Sequence, residues 1–251
     1  MKVIIAGESP LVTEITQFCM QAGHDTHMFL VEDFLSAVQS GYVLDEARDA
    51  DVVIELHNES AAAKHELLLA LGNVISPNTL VLSSALATSA TQAAAWMTAP
   101  ERVVGFGVVP PVAQTGIIEI AAARQTAPEA MQWAARFWQG LGFEVATVGD
   151  APGLVRMRVI ACLVNEAASA VMEGVATPAD IDQAMKLGTN YPFGPLTWGD
   201  LIGLDTVLGV LNGLFGEYGE DRYRPCPLLR RMVTAGETGQ KSGKGFFNYA
   251  G

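Results

Sequence analysis

From Lys2 to Val148 short apolar runs and helical patterns take turns, and after Pro152 the strand signal all but disappears. That change of texture limits the chain to an α/β unit followed by a helical one. Lys2 to Ala6 reads as a buried parallel strand, and Gly7-Glu8-Ser9-Pro10 turns it into a helix from Leu11 to Ala22. Further strands are expected at Thr26 to Val31, Asp51 to Glu55, Thr79 to Ser83, Arg102 to Val108 and Phe143 to Val148. Helices are expected at Glu59 to Leu71, Ala90 to Met97 and Glu129 to Gly140. Apolar strands alternating with amphipathic helices cover both faces of a sheet, so residues 1–150 are predicted to form a doubly wound parallel sheet.

Residues 151–251 are predicted to be all-helical. Leu154 to Val175 is one long helical run, and Thr177-Pro178-Ala179-Asp180 restarts helix with a capping hydroxyl and a proline in the first turn. The apolar residues here exceed what one small bundle needs, which predicts a subunit interface and a homodimer paired through this domain.

The first strand and helix open a dinucleotide-binding βαβ unit. In its usual G-x-G-x-x-G turn the second glycine lets a pyrophosphate approach the backbone and the third lets helix pack on strand. Here Gly7 matches the first, whereas Ser9 and Val12 stand in the places of the other two. Glu8 adds a negative charge beside a helix amino terminus that would otherwise attract phosphate. At the end of the second strand, where an acidic residue would hold a ribose hydroxyl, an ungapped register gives Leu30. Glu32 and Asp33 follow closely and either grip the ribose through a bent loop or serve only as the acidic first turn of a helix.

A formal charge of −12 and a pI near 4.7 exclude a general polyanion-binding surface, so nucleic acid is not an expected partner. Arg222, Arg224, Arg230 and Arg231 either meet a phosphate locally or read, as such clusters more often do, as a solvated face. Cys19, Cys162 and Cys226 lie far apart, which signals neither a zinc site nor a disulfide framework and fits a reducing cytoplasm. The opening apolar run is too short for a signal-peptide core and no run is long enough to span a bilayer. A cytoplasmic protein with no membrane contact and no metal is expected.

Candidate chemistry centres on Arg102 to Pro111 and the run Gly116-Ile117-Ile118-Glu119-Ile120. Alternation puts Glu119 on the face of Ile117 and Ala121, so its carboxylate shares a surface with apolar groups. It serves either as the remnant of a base–carboxylate pair or as a structural acceptor for a neighbouring loop. His57 and His65 flank the Glu59 helix with no ligand spacing and read as surface histidines.

The carboxyl-terminal third carries a resemblance. Asn165-Glu166-Ala167, Ala179 to Gly188, Tyr191-Pro192-Phe193-Gly194-Pro195, Asp200, Gly203-Leu204-Asp205 and Gly239 to Phe247 closely resemble the helical domain of 3-hydroxyacyl-CoA dehydrogenases. Asp51 to Glu55 with Glu59 and Lys64, Gly105-Phe106, Pro111, Glu119 and Pro152-Gly153 resemble the same family more faintly. Together they imply a Rossmann-like domain followed by the family's helical domain. The resemblance implies NAD as cofactor, with Gly7, Ser9, Pro10, Leu11, Leu30, Glu32, Glu59 and Lys64 around it, and an acyl-CoA as the small-molecule partner. The segment between Val31 and Asp51 is much shorter than in typical members, where it holds a helical pair that helps bind CoA.

In that family a histidine takes the substrate hydroxyl proton as a hydride passes to NAD, a glutamate orients the histidine, and a serine and an asparagine hold the substrate oxygen. Carried over in ungapped register, the glutamate falls on Glu119, but the histidine falls on Gly107, the asparagine on Met157 and the serine on Leu86. Ser84, Thr88 and Ser89 stand close enough to replace the serine, and His24, His27 or His57 could replace the base if the fold brings one in. Three readings follow: an NAD-linked dehydrogenase with reduced or lost activity, a non-catalytic homodimer that binds acyl-CoA or a partner, and a reductase of another 3-oxo compound with a rebuilt site.

Overall fold

The computed structural model describes residues 1–41, 47–114 and 116–249. It divides into two compact units, Met1–Val155 and Arg156–Gly251. Part of the short segment singled out after Val31, residues 42–46, lies outside the described residues.

In the first unit, β1 (Lys2–Gly7), α1 (Leu11–Gln21), β2 (Asp25–Leu30), α2 (Val31–Ser40) and β3 (Val52–Leu56) come first. Then follow α3 (Ala61–Val74), β4 (Leu80–Ser84), α4 (Ala90–Ala95), β5 (Val103–Gly107), β6 (Ile117–Ala122), α5 (Pro128–Gly140) and β7 (Glu144–Val148). Among the described residues these strands form one seven-stranded sheet in the order β2-β1-β3-β4-β5-β6-β7. All neighbours are parallel except β5 and β6.

That exception departs from the all-parallel expectation and has a local cause. A parallel neighbour needs a crossover of a dozen or more residues. Between Gly107 and Ile117 the described residues hold the Pro110-Pro111 turn and the short helical turn Val112–Gln114, too little chain for a crossover, so β6 comes straight back along β5.

The two-residue period of the strands explains the two layers of helices. Val3 and Ile5 of β1 point into a core closed by Leu11, Val12 and Ile15 of α1 and by Ala134, Phe137 and Trp138 of α5. Ile4 and Ala6 point the other way, against Phe34 of α2, Leu67, Leu68 and Leu71 of α3, and Ala93 and Ala94 of α4. Both faces of the central strands are therefore covered, which is why they read as continuous apolar runs. On the β2 side of the β1/β3 reversal the described sheet has two strands, where a dinucleotide-binding half commonly has three. β2 is left as an outer strand with Met28 and Leu30 exposed.

The second unit is α6 (Arg156–Met172), α7 (Pro178–Thr189), α8 (Pro195–Ile202), α9 (Leu204–Tyr218) and α10 (Pro227–Thr234), with short helical turns at Asp221–Tyr223 and Gln240–Ser242. Thr177 caps α7 through the Asp180 N–H, with Pro178 in the first turn. The polar residues of the resemblance motifs act here as clamps on backbone. Asp182 accepts from the Leu196 and Thr197 N–H groups at 2.8 Å, satisfying the free amino end of α8. Asn165 accepts from the Cys226 N–H at 2.7 Å and donates to the Arg224 carbonyl at 3.0 Å. Asp200 accepts from the Phe246 and Phe247 N–H groups at 3.0 Å and from the Tyr249 hydroxyl at 3.1 Å, tying down the carboxyl-terminal segment.

Candidate functional site

Gly107 ends β5, and the antiparallel ladder places Glu119 of β6 directly opposite it. Glu119 is 5% exposed, and its Oε2 accepts from the Val155 N–H at 3.3 Å. A Cβ built on Gly107 would stand 3.5 Å from that same oxygen. The same point lies 2.9 Å from Leu154 Cδ1 and 3.5 Å from Leu86 Cδ2. Leu154 and Leu86 are both buried, so the space beside the carboxylate is filled by leucine methyl groups. Leu154 adopts a φ of +47°, a conformation that costs a non-glycine residue about 1–2 kcal/mol. Packing of its side chain against Ala85 and Ala121 holds it there.

The chain's four histidines are engaged elsewhere. His24 stacks on Phe137 with centroids 5.7 Å apart, His65 tilts against Trp96 at 4.8 Å, and His27 lies on β2 with Asp25 at 3.4 Å. His57 sits past the end of β3. Of the hydroxyls expected to hold a substrate oxygen, Ser84 is buried and donates to Asn58 Oδ1 at 2.8 Å. Ser89 caps α4. Thr88 is different: its hydroxyl is buried with no hydrogen-bond partner among the described residues. A buried hydroxyl left unpaired costs about 1–3 kcal/mol. Met157, onto which the ungapped register carries the asparagine, is buried within the first turn of α6.

The second constellation lies at the carboxyl end of the sheet, where strand order reverses between β1 and β3. Open α/β sheets bind ligands in the crevice at such a point. Leu30, Gly7 and Leu56 are register partners at the ends of β2, β1 and β3. Gly7 is bare for a reason of packing, since a Cβ on it would come within 2.5 Å of Leu56 Cβ. One residue further on, the Glu8 carboxylate meets His57 Nδ1.

His57 is 5% exposed, which corrects the surface reading of this residue. Its Nε2 accepts from the Ser60 N–H at 3.0 Å, so the proton of the neutral ring is on Nδ1, which lies against the Glu8 carboxylate. Burial, reinforced by the Lys64 ammonium, pushes the imidazole down to a pKa of about 4, which keeps it neutral near pH 7. Behind it Lys64 is fully buried and paired with Glu55. Lys64 Nζ also donates to the His57 carbonyl at 3.1 Å and to the Ser84 carbonyl at 2.8 Å. Glu55 accepts from the Ser83 hydroxyl at 2.7 Å and the His57 N–H at 2.6 Å. This lysine therefore ties β3 and β4 together beneath the crevice. Its sequence signature is a lysine in register with Leu67, Leu68 and Leu71 on the core side of α3, facing a glutamate inside an apolar strand.

The remaining residues expected near a cofactor are spread around this crevice. Ser9 is exposed, Pro10 is the residue before α1, and Leu11 is buried in the core. Glu32 is exposed in the first turn of α2, and Glu59 is exposed before α3. A bare Gly7, a helix beginning just past it and an acid near the end of β2 fit a dinucleotide, with Glu8 contributing the wrong sign for its phosphates. Among the described residues no cluster of histidine, cysteine and acidic side chains could hold a metal ion, and no helix is long and apolar enough to cross a membrane.

Comparison with known proteins covers both units. Residues 13–151 match the domain family described as 3-hydroxyacyl-CoA dehydrogenase, NAD binding domain, and residues 153–249 match 3-hydroxyacyl-CoA dehydrogenase, C-terminal domain. The probable 3-hydroxybutyryl-CoA dehydrogenase of Bacillus subtilis strain 168 is 39% identical over 219 residues, covering 87% of this chain and 76% of that protein. The 3-hydroxybutyryl-CoA dehydrogenase of Clostridioides difficile is 32% identical over 217 residues, covering 86% and 77%. Among solved structures, the (S)-3-hydroxybutyryl-CoA dehydrogenase of Ralstonia eutropha superposes with a TM-score of 0.80 at 28% identity, covering 99% of each chain.

Proposed function

The chain belongs to the 3-hydroxyacyl-CoA dehydrogenase family, and from that premise we propose that it is a member whose hydroxyl-oxidising centre is lost. The observation that carries this reading is that a side chain on Gly107 would meet Leu154, Leu86 and Glu119. A dehydrogenation of this kind needs a base tuned near neutral pH and held by a carboxylate. Glu119 remains, but residue 107 offers no base, and the volume a base would occupy is apolar. Glu119 is instead spent on the Val155 N–H. Missing a general base costs about a hundred- to ten-thousand-fold in rate, and a missing oxyanion donor costs a comparable factor.

NAD is the cofactor of this domain type and supplies the site that accepts or returns a hydride. Gly7 and the start of α1 would lie along its diphosphate, with Leu30 and Glu32 toward the ribose. The acyl-CoA partner is a short 3-hydroxyacyl or 3-oxoacyl thioester, by the relatives' named substrate. Thr88, whose buried hydroxyl has no hydrogen-bond partner among the described residues, is the hydroxyl assigned to its oxygen in this reading. In this reading two copies pair through the helical unit, a view supported by the exposed apolar residues Val175 and Leu187.

The test is NADH oxidation by pure protein with acetoacetyl-CoA, beside the variant Gly107→His, Leu154→Ala, Met157→Asn. Background turnover by the natural protein with a gain in the variant supports a lost centre over intact binding surfaces. Robust turnover by the natural protein overturns the loss and returns it to the active dehydrogenases.

A further inference from the structure

The β1–β3 register ends at the pair Gly7↔Leu56, so Glu8 and His57 are the first residues beyond the paired strands and face each other where the strand order reverses. Their side chains join across that point, His57 Nδ1 to Glu8 Oε1. The imidazole cannot swing away freely. Ser60 holds its Nε2, Glu55 holds its N–H, and Lys64 holds its carbonyl. Glu8 thus ends against a ring held in place from three sides. The Glu8 carbonyl meanwhile accepts from the Val12 N–H at 3.0 Å in the first turn of α1, so the residue is anchored at both ends.

We propose that the Glu8–His57 contact is a latch across the nucleotide crevice, which must open before the diphosphate of a dinucleotide can seat, and that Glu8 thereby sets the affinity for it. The inference rests on the reading that the first unit takes NAD. Two features of the latch oppose the ligand. The carboxylate lies against His57 beside the start of α1, where the strand order reverses, and its charge repels phosphate at the helix start that would otherwise attract it. Removing the charge relieves the second, and removing the whole side chain relieves both.

NADH binding followed by tryptophan fluorescence distinguishes these effects without any turnover, using the full chain and the variants Glu8→Gln and Glu8→Ala. Glu8→Ala should tighten NADH binding at least about tenfold, with Glu8→Gln between it and the natural protein. The ¹⁵N shifts of His57 should also move on saturation of the natural protein, as the Glu8 carboxylate leaves Nδ1. Equal or weaker binding by a Glu8→Ala protein of unchanged melting temperature overturns the latch alone. Should Glu8→Ala fail to fold, the near-isosteric Glu8→Gln decides the same question, since a purely structural Glu8 would not give it tighter binding. Absence of NADH binding by natural protein and variants alike at millimolar nucleotide overturns both the latch and the NAD reading.

Discussion

Leu154 stands where a side chain on Gly107 would have to go, its Cδ1 2.9 Å from that position, and Glu119 waits just beyond at 3.5 Å. Gly107→His alone should therefore overpack the site and cost about 1–3 kcal/mol of stability. Leu154→Ala alone should cost about 2–5 kcal/mol by leaving a cavity. Combined, the two should cost less than their sum, because the imidazole fills the space the leucine vacates. Urea denaturation of the two single variants and the double variant measures that coupling. Strict additivity would show that the two residues do not compete for one space.

Lys64 and Glu55 form a buried pair that also holds the carbonyls of His57 and Ser84. Burial lowers the lysine pKa and the neighbouring Glu55 carboxylate opposes that shift. Lys64→Met leaves a buried carboxylate without its cation and should cost about 3–5 kcal/mol. Adding Glu55→Gln, which keeps an acceptor for Ser83 and His57, should recover part of the loss. Denaturant midpoints of the two proteins decide it, and a single variant as stable as the natural protein would mean that water reaches the pair.

His57 gives the fold an acid limit. Its folded pKa of about 4 lies below the ordinary 6.5, so between these values the unfolded chain binds the extra proton. Stability is then complete above pH 6.5 and falls as the pH drops toward 4. The loss amounts to at most about 3 kcal/mol, reduced by whatever the Glu8 carboxylate returns to the protonated ring. Melting temperature recorded from pH 7 to pH 4 in natural protein and in His57→Asn should show a shallower decline in the variant. Parallel curves would assign the acid sensitivity to other groups.

These three sites mark where sequence reasoning reached and where it stopped. The order of elements followed from local signals: apolar strands, the Thr177-Pro178 cap and the loss of strand texture after Pro152 all lie within a few residues of the structure they specify. The vacancy at Gly107 was legible against Glu119, because both sit in motifs that the chain shares with its family. Its filling by Leu154 was not, since that leucine arrives from beyond β7 and its position depends on the end of the first unit. The burial of His57 was hidden for the same reason. Among its neighbours Asn58, Glu59 and Ser60 the histidine looks solvated, and its burial follows from Glu8 at the end of a different strand. The antiparallel return of β6 lay in plain view in the Pro110-Pro111 turn, where the connection is too short for a crossover helix.

The last expectation concerns the helical unit. In α7 the buried residue is Asp182, which turns inward to cap α8, while Leu187 is 79% exposed. Val175 before the helix is 70% exposed, and Met172 at the end of α6 is also open. Apolar groups left uncovered by their own unit favour burial against a partner, and a homodimer covers the same residues on both copies. Leu187→Glu puts a charge into that surface without touching the core, so melting should be nearly unchanged while association weakens by at least about tenfold. Sedimentation equilibrium at micromolar protein should give twice the 26.6 kDa chain mass for the natural protein and a shift toward the single chain for the variant. A natural protein that sediments as one chain would remove the dimer, and an unchanged dimer in the variant would place the pairing surface elsewhere.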